Sequence, residues 1–176
     1  ATFFNHGDYA KIIIALLDSL QLNKVHAIGG SSGGMTLLHL NVMQPERFKY
    51  VIAVGAQIYF SRQCREWVTQ IGLNNFMEWA KPHGAEKQPV LAGQFWQMRD
   101  QYGDPSFTPD MLNTIKASWL VVQGDNDESV PLQQALEMHK YISNSRLWVV
   151  PNGGHLPYLI ADFQPEFLRI SLEFLN

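Results

Sequence analysis

Apolar positions along the chain fall into two alternating rhythms. Tyr9, Ile12, Ile13, Leu16, Leu17 and Leu20 recur at three- and four-residue spacing, which predicts a helix over 8–21 with one broad apolar face and Asp8 as its N-cap. Ahead of it, residues 1–7 carry no such rhythm, and Asn5-His6-Gly7 reads as a loop. Lys24–Ile28 is a short apolar strand, and Met35 to Met43 again shows helical spacing, stopping around Gln44–Phe48. A second strand, Tyr50–Val54, is closed by Gly55-Ala56; a third, Ser118–Gln123, leads to a helix over Leu132–Ile142; a fourth, Arg146–Val150, precedes a final amphipathic helix containing Phe167, Leu168, Ile170, Leu172, Phe174 and Leu175. Strands that are nearly continuous apolar runs, alternating with helices, predict a mainly parallel sheet covered on both faces, so the fold class is α/β.

Residues from about 58 to 115 break this rhythm. Trp67, Phe76, Trp79, Phe95 and Trp96 lie among Pro82, Gly84, Pro89, Gly93 and Gly103, a pattern of several short helices. An insertion of that length between two sheet strands predicts a small helical lid rather than a plain loop. Its aromatics either line an apolar acyl pocket or anchor the lid to the sheet, and the sequence leaves both open. No repeat, low-complexity tract or linker divides the chain, so a single domain over 1–176 is expected.

Composition narrows the partners. A 176-residue chain with 46% hydrophobic content has ample core for one domain. A net charge of −3 without a basic cluster leaves no electrostatic footprint for nucleic acid, and no apolar run is long enough to span a bilayer. The lone Cys64 has no intrachain disulfide partner and reads as a lid or core residue; no Cys pair or closely spaced His points to zinc, and no cofactor is expected. A small-molecule substrate is the expected partner. No leader peptide is visible, but the chain begins with Ala1 rather than methionine, which leaves the compartment open.

The chemistry centres on Gly29-Gly30-Ser31-Ser32-Gly33-Gly34, between the first strand and the second helix. Strand, tight glycine turn and helix is the context of a nucleophile elbow, in which a strained turn lifts a serine hydroxyl clear of the backbone. A phosphate-cradling loop is the competing reading, but the Lys-Ser/Thr ending is missing and a serine occupies the crest. Gly-x-Ser-x-Gly is satisfied in two registers, by Ser31 and by Ser32, and the motif alone does not choose. A strand ending at Ile28 puts Ser31 at the crest, with Gly33-Gly34 where the helix lies against the neighbouring strand; the Ser32 N–H then helps bind the oxyanion.

A serine needs a base within hydrogen-bond reach and a third group to orient that base. Asp127 follows the third strand and His155 the fourth, and in an open α/β sheet the loops after the strands gather on one edge. Asp125 is the alternative acid, and Asp127 is alternatively a helix cap. His6, His26, His39, His83 and His139 are read as structural.

These segments resemble the α/β-hydrolase superfamily. The elbow is similar to its Gly-x-Ser-x-Gly-Gly, which only Ser31 satisfies; Gly124-Asp125-Asn126-Asp127-Glu128-Ser129-Val130-Pro131 resembles its Gly-Asp-x-Asp-x-x-Val-Pro; Gly154-His155 resembles its Gly-His; and Pro45-Glu46-Arg47-Phe48 resembles the segment after the nucleophile helix. The resemblance implies a catalytic triad of Ser31, Asp127 and His155, in the superfamily's chain order, acting on a small ester or thioester. The chain departs from the pattern at its start, where the superfamily's first strands and their His-Gly oxyanion loop have no counterpart; His6-Gly7 precedes a helix instead of following a strand. The resemblance therefore implies a partial α/β-hydrolase fold, its C-terminal part. The elbow strand would have a bare edge, for a missing N-terminal segment or a partner chain to cover. The elbow also resembles that of homoserine O-acetyltransferases, so an acyltransferase and a non-catalytic subunit stand beside the serine hydrolase as readings.

Overall fold

Residues 5–176 are described by a computed structural model. Four strands, β1 (Val25–Gly30), β2 (Phe48–Val54), β3 (Ser118–Gly124) and β4 (Ser145–Val150), form one sheet in the order β1-β2-β3-β4, every pair parallel. The irregular reading of residues 1–4 falls outside the described residues.

Side chains alternate across the central strands with period two. Val51, Ala53, Trp119 and Val121 face one layer, made with Leu37, Leu38 and Leu40 of α2 (Ser32–Met43) and Ala135 and Met138 of α6 (Leu132–Tyr141). Ile52, Val54, Leu120 and Val122 face the other, where Phe174 of α7 (Gln164–Leu175) packs with Val150. This double coverage is why β2 and β3 read as continuous apolar runs. Buried Asn41 on α2 meets the Trp119 indole N–H at 3.3 Å, so the largest core side chain has its polar atom satisfied.

The first helix, α1 (His6–Ser19), starts earlier than its apolar pattern predicts, and its N-cap is Asn5 rather than Asp8. The Asn5 carboxamide oxygen accepts the Asp8 N–H at 2.9 Å, and Asp8 sits in the first turn, where a carboxylate suits the helix dipole. His6 and Gly7 are therefore helical, not a loop. His6 is fully buried: its backbone N–H and Nδ1 both meet Asp104 Oδ2, while Asp104 Oδ1 takes His39 Nε2 of α2 at 2.7 Å. Burial raises the Asp104 pKa, but the hydrogen bonds from His39 and His6 outweigh it and hold the carboxyl well below its ordinary range. This cluster ties α1 and α2 to the chain ahead of β3.

The predicted apolar face of α1 is divided. Ala10, Ile13, Ile14 and Leu17 pack on the core, whereas Tyr9, Ile12, Leu16 and Leu20 are exposed. Tyr9 and Ile13 share a groove with Ile28 of β1, itself 58% exposed. Among the described residues no strand pairs with the second edge of β1, whose burial alternates while β2 and β3 are almost wholly covered.

Between β2 and β3 the chain forms α3 (Arg62–Ala80), interrupted at Gly72, then α4 (Gln88–Gln97) and the short α5 (Pro109–Asn113). Cys64, Val68, Phe76, Ala80, Ala92 and Met98 build a second apolar cluster that includes Met35 of α2. The segment is thus seated on α2 through its own small core.

Replacing Asp104 with Ala removes the carboxylate shared by the buried His6 and the partly buried His39 and is expected to cost about 3 kcal/mol at neutral pH. Because the folded-state pKa is depressed, that contribution is fully present above the unfolded value near 4 and is lost as pH falls through the lower folded value. Urea titrations should therefore give a wild-type-minus-variant difference that shrinks as pH falls below about 4; a difference that instead grows below that pH would contradict the assignment.

Candidate active site

The elbow forms where β1 runs directly into α2. The strand continues through Gly29-Gly30, two residues beyond the predicted end at Ile28, and Ser31 alone makes the turn. Its backbone lies at φ 52° and ψ −121°, a left-handed conformation that a non-glycine residue holds only under constraint. The constraint is visible: the Ser31 N–H donates to Val54 O at 2.8 Å, and the Met35 N–H donates to Ser31 O at 3.1 Å. A Cβ at Gly29 would stand 2.6 Å from the Gly33 carbonyl carbon, and one at Gly34 2.6 Å from Ala56 Cβ, so helix and strands touch backbone to backbone. Gly33, expected to be needed for the same packing, has open space where its Cβ would be; only its backbone takes part.

Ser31 Oγ lies 2.9 Å from His155 Nε2, and His155 Nδ1 lies 2.8 Å from Asp127 Oδ2. The three residues singled out from the sequence are thus brought together, with Ser31 rather than Ser32 against the imidazole. With Nδ1–H directed at a carboxylate, Nε2 is left to accept the Ser31 hydroxyl proton. Asp125 is exposed and uses its N–H on Val150 O at 3.2 Å, away from the imidazole hydrogen bonds. Asp127 does not cap α6, whose N-cap is Pro131.

Asp127 is buried yet saturated with donors. Its Oδ1 accepts the Ser129 N–H, the Ser129 hydroxyl and the Val130 N–H at 2.8, 2.9 and 2.9 Å; its Oδ2 accepts Gln123 Nε2 at 2.8 Å besides His155. Burial pushes the carboxyl pKa up, but the hydrogen bond and charge of His155 and the Val130 and Ser129 N–H groups outweigh it, and the pKa is lowered. Asp127 therefore stays ionised across the neutral range.

Two partners of this carboxylate have no signal in the sequence. Ser129 Oγ lies 2.9 Å from His155 Nδ1 while donating to Asp127, so one hydroxyl bridges the carboxylate and the imidazole. Gln123, wholly buried at the end of β3, reads in sequence as one polar residue closing an apolar run; its role appears only once the loop after β3 folds back over it. His155 is seated by a third residue, Gly55, at φ 58°: a Cβ there would fall 2.6 Å from His155 O and 3.0 Å from Nδ1. The remaining histidines lie outside this constellation. His26 stacks on Tyr50, His139 meets Ser145, and His6 and His39 share Asp104.

The hydroxyl and imidazole open on a cavity of about 290 Å³, walled by Met35, Phe60, Trp67, Val68, Phe76, Trp79, Phe95, Met98 and Leu156, with Gln57, Cys64, Ser32 and Ser129 also on its surface. Four of the five aromatics noted between β2 and β3, all but Trp96, therefore line it. Trp67 stands with its ring centroid 6.2 Å from that of His155. Ser32 opens α2 at the cavity floor, where the first N–H groups of a helix have no intrahelical acceptor.

Comparison with known proteins places this geometry. Residues 8–176 match the model of the prolyl oligopeptidase family. The human serine hydrolase BPHL is 24% identical over 187 residues, an alignment that takes in 100% of this chain and 62% of that protein. A Pseudomonas putida protein, 2-hydroxy-6-oxononadienedioate/2-hydroxy-6-oxononatrienedioate hydrolase 1, is 26% identical, with 95% of this chain and 68% of its own length aligned. Among solved structures, the carboxylesterase CesB from Bacillus subtilis superposes with a TM-score of 0.73 at 23% identity, over 99% of this chain and 68% of that one. The chain thus spans about two thirds of the length of these relatives. With a serine at the strand-to-helix turn of a parallel sheet, and a family match over nearly its whole length, the chain belongs to the prolyl oligopeptidase family within the α/β-hydrolase superfamily of enzymes.

Proposed function

We propose that the chain is a serine hydrolase that cleaves a small carboxylic ester or thioester through an acyl-enzyme on Ser31. The observation that carries this reading is the unbroken hydrogen-bond path from Asp127 through His155 to Ser31 Oγ, ending in an apolar cavity. Ser31 Oγ bonds to the scissile carbonyl carbon while its proton passes to His155 Nε2. The carbonyl π pair moves onto oxygen, and the Ser32 N–H at the start of α2 donates to that oxyanion. Collapse of the tetrahedral species breaks the bond to the leaving oxygen or sulfur, which takes the proton from Nε2. Water repeats the sequence on the acyl-enzyme, releasing the acid and returning the proton to Ser31. Asp127, kept ionised, stabilises the imidazolium in both halves.

The helices of 62–97 are read as the lid of this site within a single domain, since their inner aromatics wall the cavity. The apolar walls keep water from the acyl group until the leaving group departs, which strengthens every charge interaction inside. The open β1 edge, with exposed Ile28 beside it, is read as the place where a preceding segment or a partner chain adds a strand, and that addition is the expected source of a second oxyanion donor.

Intact-mass spectrometry after exposure to a fluorophosphonate should give one adduct on the wild type and on Ser32→Ala, and none on Ser31→Ala. Retention of the adduct in Ser31→Ala, or no adduct on the folded wild type, would refute the assignment. Turnover of simple esters in water without an added alcohol acceptor distinguishes the hydrolase from an acyltransferase. Asp127→Asn should lower kcat by about 10³–10⁴-fold through loss of the tautomer and of the imidazolium's counter-charge.

Ser129→Ala leaves the Asp127–His155 bond in place and removes only the bridge. Its kcat is expected to fall about 2- to 13-fold, the worth of one net hydrogen bond, with KM unchanged. Steady-state kinetics check this; a change confined to KM would assign Ser129 to substrate binding instead.

A further inference from the structure

Two side chains on the first turns of α3 reach the Asp127–His155 pair. Gln63 Nε2 donates to the backbone oxygen of Asp127 at 2.9 Å. Trp67, one helical turn further on and on the same face, stands with its ring centroid 6.2 Å from that of His155 at a tilt of 47°. One element thus meets both the turn that carries the carboxylate and the ring of the imidazole.

That element is itself fixed. Ser61 caps it by accepting the Cys64 N–H at 3.1 Å, and the adjoining stripe of Cys64 and Val68 is buried in the cluster that includes Met35 of α2. Gln57 Nε2 donates to Cys64 Sγ at 3.2 Å, a further tie to the segment after β2. Gly72, at φ 76° and ψ 156°, then breaks the helix. The part that carries Phe76 and Trp79 over the cavity is therefore not continuous with the part that carries Gln63 and Trp67.

Such support matters because the bonds of His155 change as Ser31 reacts. In the resting site Nε2 faces Ser31 Oγ and Nδ1 faces Asp127 Oδ2. Once Ser31 carries an acyl group its hydroxyl proton is gone, and the ring is held through its Nδ1 edge. A ring held at one edge can swing, and misplacing a reacting group by about 1 Å costs about 10²-fold in rate. Gly55 closes one approach, since a Cβ there would lie 3.0 Å from Nδ1 and 3.1 Å from Cε1. The Trp67 indole is a second wall. Asp127 has the same need at the other end of the pair: Ser129, Val130 and Gln123 orient its carboxylate, whereas Gln63 ties its main chain to a different element.

Resting on the reading of Ser31 as the nucleophile, we propose that Gln63 and Trp67 are positioning residues, through which α3 docks on the Asp127–His155 pair and keeps the imidazole aimed at Ser31 Oγ in both halves of the reaction. Both act through Asp127 and His155. The surface that Trp67 also gives to the cavity is a separate contribution, which affects ligand binding rather than the rate of the chemical step.

The test follows inactivation of the full chain by an alkyl fluorophosphonate, resolved into a limiting rate constant and a half-saturating concentration. Gln63→Met and Trp67→Leu should each lower the limiting rate about 2- to 13-fold, the worth of one net hydrogen bond or one ring contact, with half-saturation unchanged. Trp67→Phe, which keeps a ring, should recover part of the loss, and it replaces the leucine variant if that one melts early. In an Asp127→Asn background the same substitutions should change the rate by a factor of about one, because residues that act through the pair lose their effect once the pair is broken. Losses of equal size in both backgrounds, a change confined to half-saturation, or labelling at the wild-type rate overturns the proposal.

Low-field proton NMR of the uninhibited proteins separates this inference from the reading it rests on. A hydrogen-bonded Nδ1–H resonance, present in the wild type and absent from Asp127→Asn, should exchange faster with water in Gln63→Met and Trp67→Leu. A wild type that takes no label refutes the acyl-enzyme, and the resonance then decides the role of α3. Faster exchange in the variants upholds the positioning of His155; unchanged exchange, or no such resonance in the wild type, overturns it.

Discussion

A serine at φ 52° is the constraint on which the rest of the molecule depends. Such a backbone costs about 1–3 kcal/mol and persists only where its surroundings over-determine it. Here one hydrogen bond ties the turn to β2 and another to the first turn of α2, and close backbone contact at Gly29 and Gly34 leaves no room for the turn to relax. The outcome is a hydroxyl at the carboxyl end of the edge strand, in a sheet whose order then dictates how far every partner must reach.

That reach is demanding. His155 follows β4, three strand spacings from β1, a separation of about 14 Å at the usual spacing. The five residues from Val150 to His155 open with a tight turn, in which the Gly153 N–H donates to Val150 O at 3.0 Å and Asn152 lies at φ 58°, and the loop then crosses back over the sheet edge. Its route is marked by glycines at the strand ends it crosses. Gly153 and Gly154 pass over Gly124 at the end of β3, and His155 passes over Gly55 at the end of β2. Side chains at either place would lift the loop and break the contact with Ser31. The acid is nearer, one strand away from β4, and its turn closes on itself through the Ser129 and Val130 N–H groups. His155 is thus positioned by a turn and a crossing over glycines, and Asp127 by a tight local turn.

Legibility in the sequence follows from this division. Features that depend on neighbours in the chain could be read: the elbow, the strand runs, the Ser31–Asp127–His155 order, and the helical character of the segment between β2 and β3. Features that depend on distant partners could not. His6 is drawn into a helix by Asp104, 98 residues away, and nothing around Asn5 predicts that. The apolar pattern of α1 suggests one face, but a helix beside an open sheet edge divides that face between core and surface. Ser129 and Gln123 acquire their roles only after the turn beyond β3 folds back, and neither residue type marks such a role. The aromatics of α3 and α4 stayed ambiguous because lining a cavity and anchoring a helix demand the same side chains.

The site also has an energetic cost that its position offsets. Around the cavity lie Ser31 in left-handed backbone, Gln57 with an unmet buried oxygen and Gln123 with another, each worth about 1–3 kcal/mol against folding. These costs fall at the carboxyl ends of β1, β2 and β3. The two central strands, β2 and β3, carry Val51, Ile52, Val54, Trp119, Leu120, Val121 and Val122, all nearly or wholly buried, and each large apolar side chain contributes about 1.5–3 kcal/mol. That burial lies in the two central strands, beside the edge strand whose end is strained. At the end of β1, none of whose residues is buried, Ser31 is held by its hydrogen bond to Val54, the wholly buried last residue of β2.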